Sequence, residues 1–194
     1  MSFWYLKYTE EIGMEFHDVI MSRTSVRTFR DTPVEDEKIT YVLDCARRAP
    51  SWANKQCWRF IIIKDKDKIT QLSKESMVFN HWLKNAPVLV IACADPTDSG
   101  THNGIEYYTV DVAIALEHLV LAATNVGLGT CWIGGFHEEK IKESLEIPKR
   151  IKVIALTPLG YPADKKTFAA KTIKMIIGSE KRKSLDEIVH HEHW

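Results

Sequence analysis

Three arginines and four hydroxyl side chains fall within nine residues, Ser22–Arg30. Forked guanidinium donors, short hydroxyl donors and the backbone N–H groups between them are what a phosphate requires. A solvated basic loop beside a helix end is the other reading of the same residues. A second polar stretch, Ser51, Trp52, Asn54 and Gln56, follows Pro50 and leads into an apolar run. Such a loop either lines a site or uses its Asn and Gln to satisfy its own backbone. A third feature is the pair Gly134-Gly135, where bare backbone N–H groups offer an edge for a flat ligand.

These groups need elements to position them. Val112, Leu116, Leu119, Val120 and Ala123 recur at helical steps within 107–125, and Ala113, Ala115, Leu121 and Ala122 make the other faces apolar or small. That pattern predicts a buried central helix, ended by Gly127 in the left-handed region. Thr130–Ile133 reads as a short strand that breaks at the glycine pair. Further helices are expected over Phe16–Met21, from the acidic start Glu35–Glu37 to about Arg48, over Lys66–Lys84 with an interruption near Met77–Asn80, and over His137–Leu145. The continuous apolar runs Arg59–Ile63, Pro87–Ala94 and Ile151–Leu159 read as strands, the first two buried on both faces. Asp95–Asn103, rich in Asp, Thr, Ser, Asn and Gly, is either an ordinary surface loop or a substrate-side lid.

Helices alternating with three or four strands imply an α+β or α/β sandwich. The 194 residues suit one domain, here 14–194, preceded by an extension over 1–13 whose Trp4, Tyr5 and Tyr8 pack on the body or on a partner subunit. Lys+Arg and Asp+Glu both number 26, so no basic excess argues for nucleic acid or an acidic membrane surface. The zero net charge gives weak electrostatic protection against self-association. No apolar run has the length of a signal peptide or a membrane span. The 4 cysteines show no C-x-x-C pair and read as buried thiols of a reducing, cytoplasmic compartment. His190, His191 and His193 have the spacing of a polar tail rather than of a metal site, so no metal is expected. Neither the G-x-G-x-x-G nor the P-loop pattern occurs, and there is no G-x-S-x-G elbow.

Five stretches, in this order, resemble the flavin-dependent nitroreductase family: Arg23–Arg27, Ala49–Phe60, Gly127–Phe136, Leu159–Pro162 and Arg182–Val189. The resemblance spans nearly everything from Phe16 to the C-terminus and makes phosphate binding the favoured role of Arg23–Arg27. It implies an α+β sandwich with a mainly antiparallel sheet, an intimate homodimer, and FMN at the subunit interface. By this resemblance Arg23, Thr24, Ser25 and Arg27 match the first cofactor-binding motif, with Arg23 and Ser25 on the phosphate side and Arg27 at the pyrimidine end. Pro50, Ser51, Trp52 and Asn54 match the loop that reaches FMN from the other subunit. Gly134 and Gly135 match the turn whose N–H faces flavin N5, Asn80 a flavin-ring asparagine and Arg182 a late phosphate-binding arginine. Cys57 stands where many members carry proline, and Gly134 where many carry an acid.

The activity so implied is ping-pong hydride transfer from NADH or NADPH, through FMN, to an electron-poor acceptor such as a nitroaromatic or a quinone, with Gly134, Gly135 and Arg27 at the reacting ring. Reductive dehalogenation or flavin cleavage on the same fold, and an FMN-binding module without turnover, are the alternatives.

Overall fold

The computed structural model describes residues 13–164 and 181–194. The extension expected over 1–13 lies outside the described residues except for Gly13, as does the basic stretch Lys165–Lys174. In chain order the helices are α1 (Phe16–Ser22), α2 (Asp36–Ala46), α3 (Lys66–Glu75), α4 (Tyr107–Asn125) and α5 (Glu138–Ser144). The strands are β1 (Trp58–Ile63), β2 (Val88–Ala94), β3 (Thr101–His102), β4 (Ile105–Glu106), β5 (Gly129–Thr130) and β6 (Lys152–Gly160). Short 3-10 turns cover Trp52–Asn54, Val78–Asn85, Pro96–Asp98 and Leu185–Glu187.

Four strands form one antiparallel sheet in the order β1-β2-β6-β5. Alternation along β2 sends Val88, Val90, Ala92 and Ala94 to one face and Leu89, Ile91 and Cys93 to the other. The first face packs with Val42 and Ala46 of α2 and with Ala115, Leu116, Leu119 and Ala123 of α4. The second packs with Ile69 and Leu72 of α3, Leu83 and Ile141 of α5. Two helical layers therefore cover the sheet, the expected α+β sandwich. Ile154 has no opposite number in β2, and the register slips there between Ala92 and Cys93.

The central helix forms as its alanines and leucines predict. Its end is a Schellman motif: Gly127 has φ +76°, its N–H donates to Thr124 O at 3.1 Å, and Leu128 N–H donates to Ala123 O at 2.8 Å. The chain thereby turns directly into β5. One side of α4 is not covered: Val110 and Glu117 are exposed, while Ala113, Ile114, Leu121 and Thr124 are half-buried. Beside it α1 exposes Phe16, Ile20 and Met21.

Two expectations need correction. The run Arg59–Ile63 was expected to be buried on both faces, but β1 is the sheet's edge strand, and Phe60, Ile61 and Ile62 are only half-buried. β-branched continuity cannot distinguish an edge from a centre. Thr130–Ile133 is not one strand: pairing covers Gly129–Thr130, and Ile133 returns to the sheet through a single bridge to Leu156.

Candidate active site

The arginine-rich segment lies in extended form along the open edge of β5. Ser25 makes a parallel bridge to Thr130, and Val26 N–H donates to Thr130 O at 2.8 Å. Further on, Arg30 N–H donates to Tyr161 O and Ala163 N–H to Thr28 O, both at 2.9 Å. The segment is thus clamped between β5 and the chain leaving β6. A period of two puts Arg23, Ser25 and Arg27 on one face and Thr24 on the other. The buried thiol of Cys131 senses this grouping. Burial pushes its pKa up, while the charge of Arg27, the hydroxyl of Ser25 and the charge of Arg23 oppose the rise. Arg27 Nη1 meets only the Ser25 carbonyl, at 3.5 Å, and neither arginine forms an ion pair among the described residues.

Four residues past Thr130 comes the glycine pair. Gly134 is exposed, and a side chain there would meet nothing within 4 Å. At Gly135 a Cβ would sit 3.0 Å from Met77 Sδ. The Gly135 carbonyl accepts from Met77 N–H at 3.1 Å and from the amide of Asn80, also at 3.1 Å. Asn80 is buried. Phe136 bridges Ser76, and His137 N–H donates to Glu75 O. The Gly135 carbonyl is therefore occupied, and among the described residues the N–H groups of Gly134 and Gly135 meet no backbone acceptor.

The Pro50–Asn54 loop is elsewhere. Trp52 N–H donates to Asp111 Oδ1 at 2.8 Å, fixing the loop near the start of α4. Ser51 Oγ accepts from Gln56 N–H at 3.0 Å, and Gln56 Nε2 donates to both Asn54 O and Asn54 Oδ1 at 3.2 Å. So Asn54 and Gln56 do satisfy one another locally. Ala53, Asn54 and Gln56 all have positive φ (45°, 55° and 54°), a concentration of strain that usually marks a functional loop. From Asp111 to Asn125 the helix rises about 21 Å at ~1.5 Å per residue. The β5 edge lies past that far end, so one chain carries two separated halves of the expected site. Arg182 is exposed, with Nη1 donating to the Lys181 carbonyl.

Asp111, Gly129, Cys131 and Met77 were not singled out from sequence. Asp111 had a signal, a carboxylate among the apolar residues of the central helix. Gly129 had one too, a glycine beginning a strand; it accommodates Val26, whose Cγ2 lies 2.6 Å from where a Cβ would stand. Asp95–Asn103 is also more than a plain loop. Asp95 Oδ1 accepts from Thr97 N–H and Oγ1, its Oδ2 pairs with Arg150 at 3.0 Å, and the chain continues into the β3-β4 hairpin. Thr97's hydroxyl, before other causes, holds the Asp95 carboxyl below its ordinary range.

Among the described residues no group of three or more His, Cys, Asp or Glu is placed to hold a metal, and no helix is long and apolar enough to cross a membrane.

The described residues thus form a helix-covered antiparallel sheet, with arginines beside β5 and a glycine turn with bare N–H groups further along the chain. The model of the nitroreductase family matches residues 20–80 and 74–161, and the chain belongs to that family. A putative NADH dehydrogenase/NAD(P)H nitroreductase of Archaeoglobus fulgidus is 35% identical over 154 residues, covering 77% of this chain and 87% of that protein. FMN reductase [NAD(P)H] of Bacillus subtilis is 31% identical over 169 residues, covering 77% of this chain and 68% of its own. Among solved structures, a nitroreductase family protein of Clostridium novyi NT superposes with a TM-score of 0.75 at 42% identity, over 79% of this chain and 89% of that one.

Proposed function

We propose that the protein is an NAD(P)H-dependent flavin oxidoreductase that binds FMN along the β5 edge and acts as a homodimer. One observation carries the reading. Arg23, Ser25 and Arg27 gather beside Thr130 and Cys131, and the bare N–H groups of the glycine turn follow four residues later in the chain. Anion donors at one end and in-plane donors at the other suit a ligand with a phosphate and a flat ring joined by an extended arm, which is the chemistry of FMN. The guanidinium of Arg27, which forms no ion pair among the described residues, fits the same donor set.

Arg23 and Ser25, with Arg182 from the tail, would hold the phosphate. Gly134 and Gly135 would donate to the N5 edge, with Asn80 and Met77 keeping the turn in shape. Arg27 would lie at the pyrimidine end, where its permanent charge favours negative charge on the ring. When bound, FMN supplies the two-electron chemistry, reduced by NADH or NADPH and reoxidised by an electron-poor acceptor such as a nitroaromatic or a quinone. Cys131, buried with a raised pKa, remains a neutral thiol at neutral pH and contributes no thiolate. The four free cysteines suit a reducing cytoplasm.

Dimerisation completes the site. The Pro50–Asn54 loop cannot reach the β5 edge of its own chain past α4. The uncovered side of α4 and the exposed Phe16, Ile20 and Met21 of α1 form an apolar surface for a second copy. That copy would bring its own Ser51, Trp52 and Asn54 to the first chain's FMN.

The test is the visible spectrum of protein incubated with FMN and desalted, then titrated anaerobically with NADH and NADPH. A retained flavin band that bleaches is the expected result; no retained band refutes the reading. At full loading Arg27→Ala slows bleaching by roughly tenfold, about 1.4 kcal/mol of barrier. Equal rates in variant and parent would remove Arg27 from the ring.

A further inference from the structure

Asp111 is a buried carboxylate, 2% exposed, with no ion pair among the described residues. Three donors from three segments converge on it. Trp52 N–H of the Pro50–Asn54 loop donates to Oδ1 at 2.8 Å, while Ser99 Oγ and the Cys57 thiol donate to Oδ2 at 2.9 and 3.5 Å. Burial, before the neighbouring carboxylate, pushes the Cys57 thiol up to about 11, so it stays a donor. A buried charge held only by neutral donors makes each of those hydrogen bonds costly to lose.

The same segments meet again around the Trp52 ring. It packs on Tyr107 with centroids 4.3 Å apart and lies 6.3 Å from His102 of the hairpin. Gly100 has no room for a side chain, because a Cβ would fall 2.4 Å from Trp52 Nε1, and Tyr107 N–H donates to Gly100 O at 2.9 Å. Arg59 of β1 pairs with Asp98 at 2.7 Å.

We propose that Asp111 is the positioning residue of the Pro50–Asn54 loop, and that through Ser99 and Trp52 it fastens the β3-β4 hairpin into the same rigid unit. Contact with the cofactor and access for the acceptor are then set together by one carboxylate on α4. It holds Ala53, Asn54 and Gln56 in their strained conformations, and Cys57 contributes a thiol donor to this anchor. The link to cofactor and acceptor rests on the proposed function; the mechanical coupling does not.

The experiment compares the parent with Asp111→Asn and Ser99→Ala. Amide hydrogen exchange over 49–57 and 96–107 is read without added FMN, and FMN affinity and acceptor KM and kcat with it. Asp111→Asn keeps the size but turns one acceptor into a donor, which the Cys57 thiol satisfies poorly. Exchange should quicken roughly tenfold in both segments, and FMN affinity should fall by a similar factor. Ser99→Ala should quicken exchange over 96–107 and raise acceptor KM roughly threefold with kcat little changed. Unchanged exchange in 49–57 for Asp111→Asn overturns the positioning role. Faster exchange in 49–57 alone overturns the coupling. Should Asp111→Asn fail to fold, unchanged exchange over 96–107 in Ser99→Ala overturns it. A parent that binds no FMN defeats the proposed function, yet its exchange rates still decide the coupling.

Discussion

Gly129→Ala tests how the arginine segment is attached. The new Cβ would lie 2.6, 2.8 and 2.9 Å from Cγ2, Cβ and Cγ1 of Val26. Rotating the valine clears only its methyls, since its Cβ is itself too close. The Val26 backbone must therefore move until carbon contacts approach ~3.5 Å. That shift stretches the 2.8 Å bond from Val26 N–H to Thr130 O beyond hydrogen-bonding range. Overpacking of about 2 kcal/mol and a lost hydrogen bond of about 1 kcal/mol give about 3 kcal/mol. In a domain of this size that is a fall of roughly 6–12 °C in Tm. Because Val26 lies between Arg23 and Arg27, FMN affinity should fall with it by roughly tenfold or more. Urea melts, with m held constant as the check on the denatured state, and FMN titration measure both. Repeating Gly129→Ala in Val26→Ala and Val26→Gly backgrounds gives the decisive control. The first relieves the two methyl contacts and the second all three, so the cost should shrink in that order. A cost that is the same in all three backgrounds refutes the packing argument.

Gly135→Ala should cost only about 1 kcal/mol, because the obstacle is the thioether of Met77, which is half in solvent and can swing away. Met77→Ala should recover most of that loss in a double-mutant cycle, and no recovery would mean that the turn itself resists the methyl. Tyr161→Phe addresses pH. Tyr161 Oη donates to Glu35 Oε2 at 2.6 Å and accepts from Lys38 Nζ at 2.7 Å, and the tyrosine's hydrogen bond is the largest cause holding the Glu35 carboxyl below 4.5. A depressed folded pKa stabilises above the unfolded value and loses that contribution as pH falls through the folded one. The variant should be less stable by about 0.5–1 kcal/mol at pH 7, given the exposure of Glu35, and the gap should close below pH 4.5. A gap that stays constant down to pH 3 would show that Glu35 does not sense the tyrosine.

Much of this was legible in the sequence because short-range physics controlled it. The helix over 107–125 and its Gly127 end follow from periodicity and one left-handed residue, and the burial of β2 from an unbroken apolar run. What failed was non-local. Whether Arg59–Ile63 lies at a sheet edge depends on which strands fail to pair with it, and nothing inside the run encodes that. Asp111 read as one polar residue in a greasy helix, since its three donors come from residues 12 to 59 positions away. The roles proposed for Arg23–Arg27 came from residue chemistry and family likeness together. The attachment of that segment to β5 could not be read without knowing that Val26 fills the space left open by Gly129.

The division of the site along α4 has a consequence for inheritance. On the dimeric reading, each catalytic centre is assembled from two different polypeptides, so a lesion in the Pro50–Asn54 loop damages its partner's centre and not its own. Two alleles, one broken at the loop and one at the β5 edge, would complement when co-expressed, because a mixed pair contains one centre built wholly from intact halves. A single allele broken at both places does the opposite. Every mixed pair it forms with a healthy chain has no intact centre, and the damage behaves as dominant.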